Sequence, residues 1–309
     1  MTKNLTASVR QRLMNLARAR NEEFGLILTR YGIERLLYRL SQSEYRSAFV
    51  LKGALLFELW TKRPHRPTRD LDLAGRQETT VAGMKKVFTK ICAQPVESDG
   101  LVFDPKAVRA ETIREELAYQ GVRVRCLAHL GNARIPLQVD VGFGDVITPG
   151  PVKLEYPTLL DFPAPRLQAY PRETMIAEKF HALVKLGLTN SRMKDFYDLW
   201  ILAREFEFDG QVLAQGLEAT FRRQKTEVPA ADPLPLTAEF AENKAGQWRA
   251  FLKKNGLQTE GATLERVTED LQQFLLPPAR AVTAKTKFSM FWPARGPWKE
   301  QRTLHETAR

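Results

Sequence analysis

The sequence predicts an α/β protein: a small mixed sheet bearing aspartates, flanked by helices and followed by a helical C-terminal half. Three observations predict it. Asp70-Leu71-Asp72-Leu73 alternates with the two-residue period of a half-buried strand. Two further strand-like runs, Val122 to Leu130 and Ile135 to Phe143, are joined by Gly131-Asn132, a dipeptide suited to a tight hairpin turn. Helical apolar spacing fills Ala7 to Ser41 and returns from Arg172 to Phe206.

Taken in order, Val9, Leu13 and Leu16 predict a first helix and Leu26 to Leu40 a second, broader one. Both carry arginines (Arg10, Arg12, Arg18, Arg20, Arg30, Arg35, Arg39), which suit an RNA backbone or simply a solvated helix face. Phe49 to Leu51 reads as a short buried strand ended by Gly53, with a helix from Ala54 to Trp60. The prolines of KRPHRP forbid regular structure, leaving a basic loop with Lys62, Arg63, His65 and Arg66, followed by Arg69. Thr79 to Ala93 is helical in pattern, and a second helix is expected from Pro105 to Tyr119, closed by Gly121. Pro136 sits near the start of its strand, where a proline is tolerated. The proline-rich stretch from Asp145 to Pro171 reads as a connection. Helices follow over Arg172 to Leu186, Ser191 to Phe206 (with Ser191 as cap), Ala238 to Lys254 and Ala262 to Leu275. After Pro277-Pro278 the chain is basic, with Phe288, Phe291, Trp292 and Trp298 interleaved. That mixture can grip single-stranded nucleic acid, but the reading adopted is an unstructured extension.

Composition narrows the classes. With 309 residues, 43% apolar and 27% charged, the chain is an ordinary globular protein of one large or two modest domains. Its net charge of +11 and pI near 9.7 favour a polyanionic partner, nucleic acid being the commonest, over a merely basic surface. The two cysteines, Cys92 and Cys126, form no CxxC, so neither a disulfide framework nor a zinc site is indicated, and buried, reduced thiols are expected. No apolar run approaches the roughly 18 residues that span a bilayer, and MTKNLTASVRQRL lacks an apolar signal core. No membrane association and a cytoplasmic location are therefore expected.

The chemistry is expected around Lys52 to Leu73. Asp70 and Asp72 project to one side of their strand, and two adjacent carboxylates repel unless a cation intervenes. Hard divalent ions take oxygen ligands of this kind, completed by water and phosphate. The alternative is a solvated strand end. Asp140, centred in the apolar run VDVGFG, needs compensation by a metal or a nearby arginine. Asp195 and Asp198 share a helix face, one turn from Arg192.

The ordered set is Lys52-Gly53, the Asp70-x-Asp72 strand, Asp140 on a later strand, AEK ending at Lys179, and RMKDFYDL from Arg192. It resembles the AbiEii/AbiGii-type nucleotidyltransferase toxins, the family of the MenT toxins, a branch of the DNA polymerase β-like nucleotidyltransferases. The resemblance covers roughly Ala7 to Glu205. It implies a polymerase β-like core and a Mg²⁺- or Mn²⁺-dependent transfer of a nucleoside monophosphate from an NTP to RNA, with the tRNA 3′ end favoured. It also implies the toxin of a toxin–antitoxin or phage-defence pair with an AbiEi-type antitoxin. Residue by residue, it implies Asp70, Asp72 and Asp140 as metal ligands, and Asp70, Asp72, Lys179 and Asp195 as catalytic. Nucleotide binding falls to Lys52, Gly53, Lys179, Arg192 and Asp198, and Arg69 is added to them for its basic position beside the proposed metal site, where an anionic substrate would want it. Ala54 departs from the family's serine or second glycine after Gly53, removing a hydroxyl contact to phosphate.

The expected division is a core over 1–150, a helical domain with the Lys179 and Asp195/Asp198 motifs over 151–278, and a basic, flexible tail over 279–309. Rival readings are a transferase acting on protein hydroxyls, a nuclease, and a non-catalytic RNA-binding protein of the same fold. Lys179 could also pair with Asp195 or Asp198 only to dock two helices. Lys179→Ala is expected to abolish transfer and leave the fold intact, since a half-exposed lysine rarely carries several kcal/mol.

Overall fold

The computed structural model describes residues 2–61, 65–77, 79–114, 120–257 and 262–300. Lys62 and Arg63 of the predicted basic loop lie outside them. The chain divides into two compact units, Met1–Asp145 with Pro151–Tyr170, and Val146–Gly150 with Pro171–Arg309. Residues 151–170 thus return to the first unit, and the expected tail belongs to the second.

The first unit comprises α1 (Thr2–Arg20), α2 (Phe24–Gln42), β1 (Phe49–Lys52), α3 (Leu55–Thr61), β2 (Asp70–Gly75), α4 (Val81–Cys92), β3 (Val102–Phe103), β4 (Arg109–Arg114), β5 (Gln120–Leu130), β6 (Ala133–Phe143), β7 (Val152–Glu155) and β8 (Arg166–Ala169). Its eight-stranded sheet runs β3-β5-β6-β2-β1-β8-β7, with β4 also on β5. β5 and β6 form the predicted hairpin, Leu130 opposite Ala133, and Gly131 takes the positive φ (60°) that the two-residue turn requires. β2 lies parallel to β6 and antiparallel to β1.

Alternation sorts the two faces. Leu71, Leu73, Ile135, Leu137 and Val139 are buried on one. α2 lies against that face at Gly32, where a Cβ would stand 3.0 Å from Leu137 and 3.1 Å from Ile135, so a larger residue would need those side chains to shift. The aspartates take the opposite face. α2 also buries Arg30, Arg35 and Arg39, which pair with Glu22, Glu34 and Asp99. These three arginines are internal and unsuited to an RNA backbone, whereas Arg10, Arg12, Arg18 and Arg20 are exposed on α1.

Two expectations fail here. Pro105 to Arg114 is not helical: a single 3₁₀ turn precedes β4, which pairs with β5 from Arg109 opposite Arg125 to Arg114 opposite Gln120. Ala, Glu and Arg favour a helix, but pairing with β5 satisfies backbone groups that an edge strand would leave open. The predicted connection over 145–171 contains β7 and β8. Pro151, Pro157, Pro163, Pro165 and Pro171 lie outside these strands and bracket them, so none interrupts a ladder.

The second unit comprises α5 (Arg172–Leu186), α6 (Met193–Glu205), β9 (Phe208–Asp209), α7 (Gly210–Arg223), α8 (Ala238–Lys254), α9 (Leu264–Thr283), β10 (Met290–Trp292) and β11 (Lys299–Glu300). α6 starts after Arg192 with no side-chain cap; Asn190 Oδ1 instead accepts from the Arg192 N–H at 2.8 Å, so Ser191 is not the cap.

Over its described residues, 279–300, the expected tail is not unstructured. α9 continues through Pro277 and Pro278 to Thr283. A proline cannot donate to the carbonyl four residues back. For Pro278 that carbonyl is Phe274, and Trp298 Nε1–H donates to it at 3.0 Å. Trp292 is 3% exposed and donates to the Ala203 carbonyl at 2.7 Å. Trp298 stacks on Phe274 with ring centroids 5.9 Å apart and meets Phe288 edge-on. These aromatic rings are spent on packing within the unit rather than offered to nucleic-acid bases.

Candidate active site

On the polar face of the first unit's sheet, Lys52, Asp72, Asp140, Arg123 and Glu111 are successive cross-strand partners over β1, β2, β6, β5 and β4. Asp70, Gln138, Arg125 and Arg109 form the next row. Three predicted acids therefore share one face, Asp70 exposed and Asp72 half-buried. Gly53 has φ of +80°, and a Cβ there would fall 2.8 Å from the Asp72 carboxyl carbon. The glycine thus serves both as a left-handed turn and as the only residue that admits the Asp72 side chain.

Asp140 receives an arginine, one of the two alternatives open to it. Arg123 donates from Nε to Oδ1 and from Nη2 to Oδ2, both at 2.8 Å, in a bidentate fork. Gln138 Nε2 donates to Oδ2 at 3.3 Å. Hydrogen bonding to Asp140 raises the Arg123 pKa further above its already high ordinary value. Lys52 is ion-paired with Asp145 at 2.6 Å, and the same carboxylate oxygen accepts from the Tyr170 hydroxyl at 2.7 Å. Arg69 pairs with Glu23 at 2.8 Å, both largely exposed.

Among the described residues, no group of three His, Cys, Asp or Glu stands as a metal cluster. The Asp70–Asp72 pair supplies the donor type that a hard divalent ion takes. Both are oxygen donors on one face, and Asp72 fills the cradle that Gly53 leaves open. Asp140, engaged through both oxygens by Arg123, does not join them in this arrangement.

In the second unit, α5 and α6 bring the predicted helical motifs together. Lys179 Nζ lies 2.6 Å from Asp195 Oδ1 and 2.9 Å from Asp198 Oδ2, and Arg192 Nε lies 3.1 Å from Asp195 Oδ2. Two cations and two carboxylates make a neutral set, with Asp195 and Asp198 at 2% and 0% exposure. Burial pushes the Asp195 carboxyl up, and Lys179 and Arg192 outweigh it, holding it below the ordinary carboxylate range. The Lys179 side chain is only 14% exposed. Lys179→Ala would therefore take one of two cations from a pair of buried acids, so this variant should lose stability, contrary to the expectation from sequence.

Sequence reasoning missed Arg123, Asp145 and Tyr170. Arg123 was within reach: stepping equally far either way from the Gly131-Asn132 turn lands on Arg123 and Asp140. Asp145 follows β6 in a loop whose course no local pattern gives.

A family model described as nucleotidyl transferase AbiEii toxin, type IV toxin–antitoxin system, matches residues 35–275, a span that holds every predicted site residue. No curated protein matches the chain. Two solved Helicobacter pylori structures are similar at 16% identity and TM-score 0.44. One is JHP933, matched over 81% of this chain and 89% of its own; the other, a candidate nucleotidyltransferase, is matched over 81% and 92%.

Proposed function

We propose a function that proceeds from one premise: the chain belongs to the AbiEii nucleotidyl transferase toxin family of type IV toxin–antitoxin systems. On this reading it transfers a nucleoside monophosphate from an NTP to RNA, the acceptor being the 3′ end of tRNA. Its partners are the NTP, that RNA and an AbiEi-type antitoxin in a phage-defence pair, and it works in the cytoplasm. The observation that carries the reading is the register of β1, β2 and β6, which aligns Asp70, Asp72 and Asp140 on one face beside Gly53.

In the reaction the acceptor hydroxyl oxygen bonds to the α-phosphorus, the bond to pyrophosphate breaks, and the hydroxyl proton passes to Asp140. Asp70 and Asp72 would hold Mg²⁺ or Mn²⁺, and the ion would offset charge on the α-phosphate and departing pyrophosphate. Gly53 lets backbone N–H groups approach the phosphates, with Lys52 and Arg69 supplying positive charge nearby. Asp195 and Asp198 fix the Lys179 ammonium, whose role is to meet the leaving pyrophosphate, and Arg192 holds Asp195 in place.

The test is incubation of the purified protein with each α-labelled NTP in turn and total RNA. Label in a tRNA-sized band is expected. Label in protein alone overturns the RNA acceptor, and RNA shortening without label points to a nuclease.

A further inference from the structure

Asp140 is held on the polar face of the sheet by a cation that the chain itself provides. Arg123 and Asp140 are direct cross-strand partners, and the fork uses both carboxylate oxygens. The pair is half-buried, with side chains 32% and 21% exposed, so it is neither locked in the core nor dissolved in water. Asp72 is the cross-strand partner of Asp140 on its other side. A cation at Asp72 therefore adjoins a carboxylate whose charge is already neutralised.

We propose that Arg123 competes with the divalent cation for Asp140. This rests on the metal-dependent reading above and extends it to a residue outside the recognised motifs. While Arg123 holds Asp140, the metal has only Asp70 and Asp72; the third ligand is gained only when the fork opens. The exchange is balanced when the cation arrives with a triphosphate, because the freed guanidinium then has anionic oxygens to turn to. Arg123 thus biases the site against bare metal and toward metal with nucleotide.

Manganese binding to the nucleotide-free protein, followed by electron paramagnetic resonance, tests this without any turnover. Arg123→Gln should bind Mn²⁺ about tenfold or more tightly than the wild type, the scale of one charge-assisted fork. The gain should vanish in the Arg123→Gln/Asp140→Asn double variant. Arg125→Gln removes an equal charge one row away, where the partner is Glu111, and should change affinity little. Equal tightening by Arg125→Gln reduces the effect to net charge and overturns the proposal, as does unchanged or weakened binding in Arg123→Gln. If Arg123→Gln does not fold, Asp140→Asn decides: affinity kept near wild type supports the competition, and a marked loss overturns it. Should neither the wild type nor any variant bind Mn²⁺, and Asp70→Asn make no difference, the metal reading itself falls together with the proposal.

Discussion

The two acidic clusters of this chain solve opposite problems with the same residue types. On the sheet, Asp70, Asp72 and Asp140 are placed by strand register and stay exposed or half-buried. On the helices, Asp195 and Asp198 are placed by a three-residue spacing and are sealed with Lys179 and Arg192 into a neutral set. A half-exposed carboxylate can exchange its partner at little cost. A buried one cannot, because removing one charge leaves another desolvated. The sheet cluster is suited to ligands that come and go, and the helix cluster to presenting one ammonium in one place.

The sharpest way to break this contrast is to neutralise the sheet pair. Asp70→Asn/Asp72→Asn should lower nucleotidyl transfer on the order of a thousandfold while the urea midpoint stays near wild type. A large midpoint shift would mean the sheet acids are structural after all. Next in size, Asp198→Ala should cost about 3–5 kcal/mol in denaturant unfolding, against about 1 kcal/mol for Arg123→Ala. Equal costs would erase the distinction. Gly53→Ala should cost about 1–2 kcal/mol for the positive φ alone, and it should also displace Asp72 and lower transfer.

A pH series sharpens the comparison inside the second unit. Asp195, held below its ordinary value, contributes stability that is full above the unfolded carboxylate pKa of 3.8 and lost as pH falls through the folded value. His181 is buried with Nε2 unpartnered, and burial followed by nearby Lys185 lowers it from 6.5 to about 4. The unfolded chain takes up that proton first, so stability should fall as pH drops from 6.5 toward 4. In His181→Phe that part of the slope should be missing from a thermal-melt series. The smallest effect is expected for Arg69→Gln, whose exposed pair with Glu23 should be worth no more than about 0.5 kcal/mol.

What the sequence made legible follows the same division between local and distant causes. The β5–β6 hairpin, α5 and α8 were readable because each is announced by its own period and its own turn or cap. The shared face of Asp70 and Asp72 followed from the two-residue pitch alone. β4 was misread because its residues favour a helix and only β5, further along the chain, makes a strand of them. Pro277-Pro278 reads as a stop for the matching reason: the donor that rescues the helix is Trp298. Asp140's choice between metal and arginine hung on a cross-strand neighbour, visible by counting from the turn but not by inspecting Asp140 itself.

Trp298 has a consequence for synthesis on the ribosome. During synthesis Trp298 is added 24 residues after Phe274, so the Phe274 carbonyl gains its indole donor only once that later segment folds back onto α9. Until then the middle of α9 lacks its indole splint. Trp200 of α6 donates to Asp270 of α9 at 2.8 Å, so the helix bearing Asp195 and Asp198 leans on the same late-finished element. The second unit therefore matures last, after the sheet unit has had time to fold.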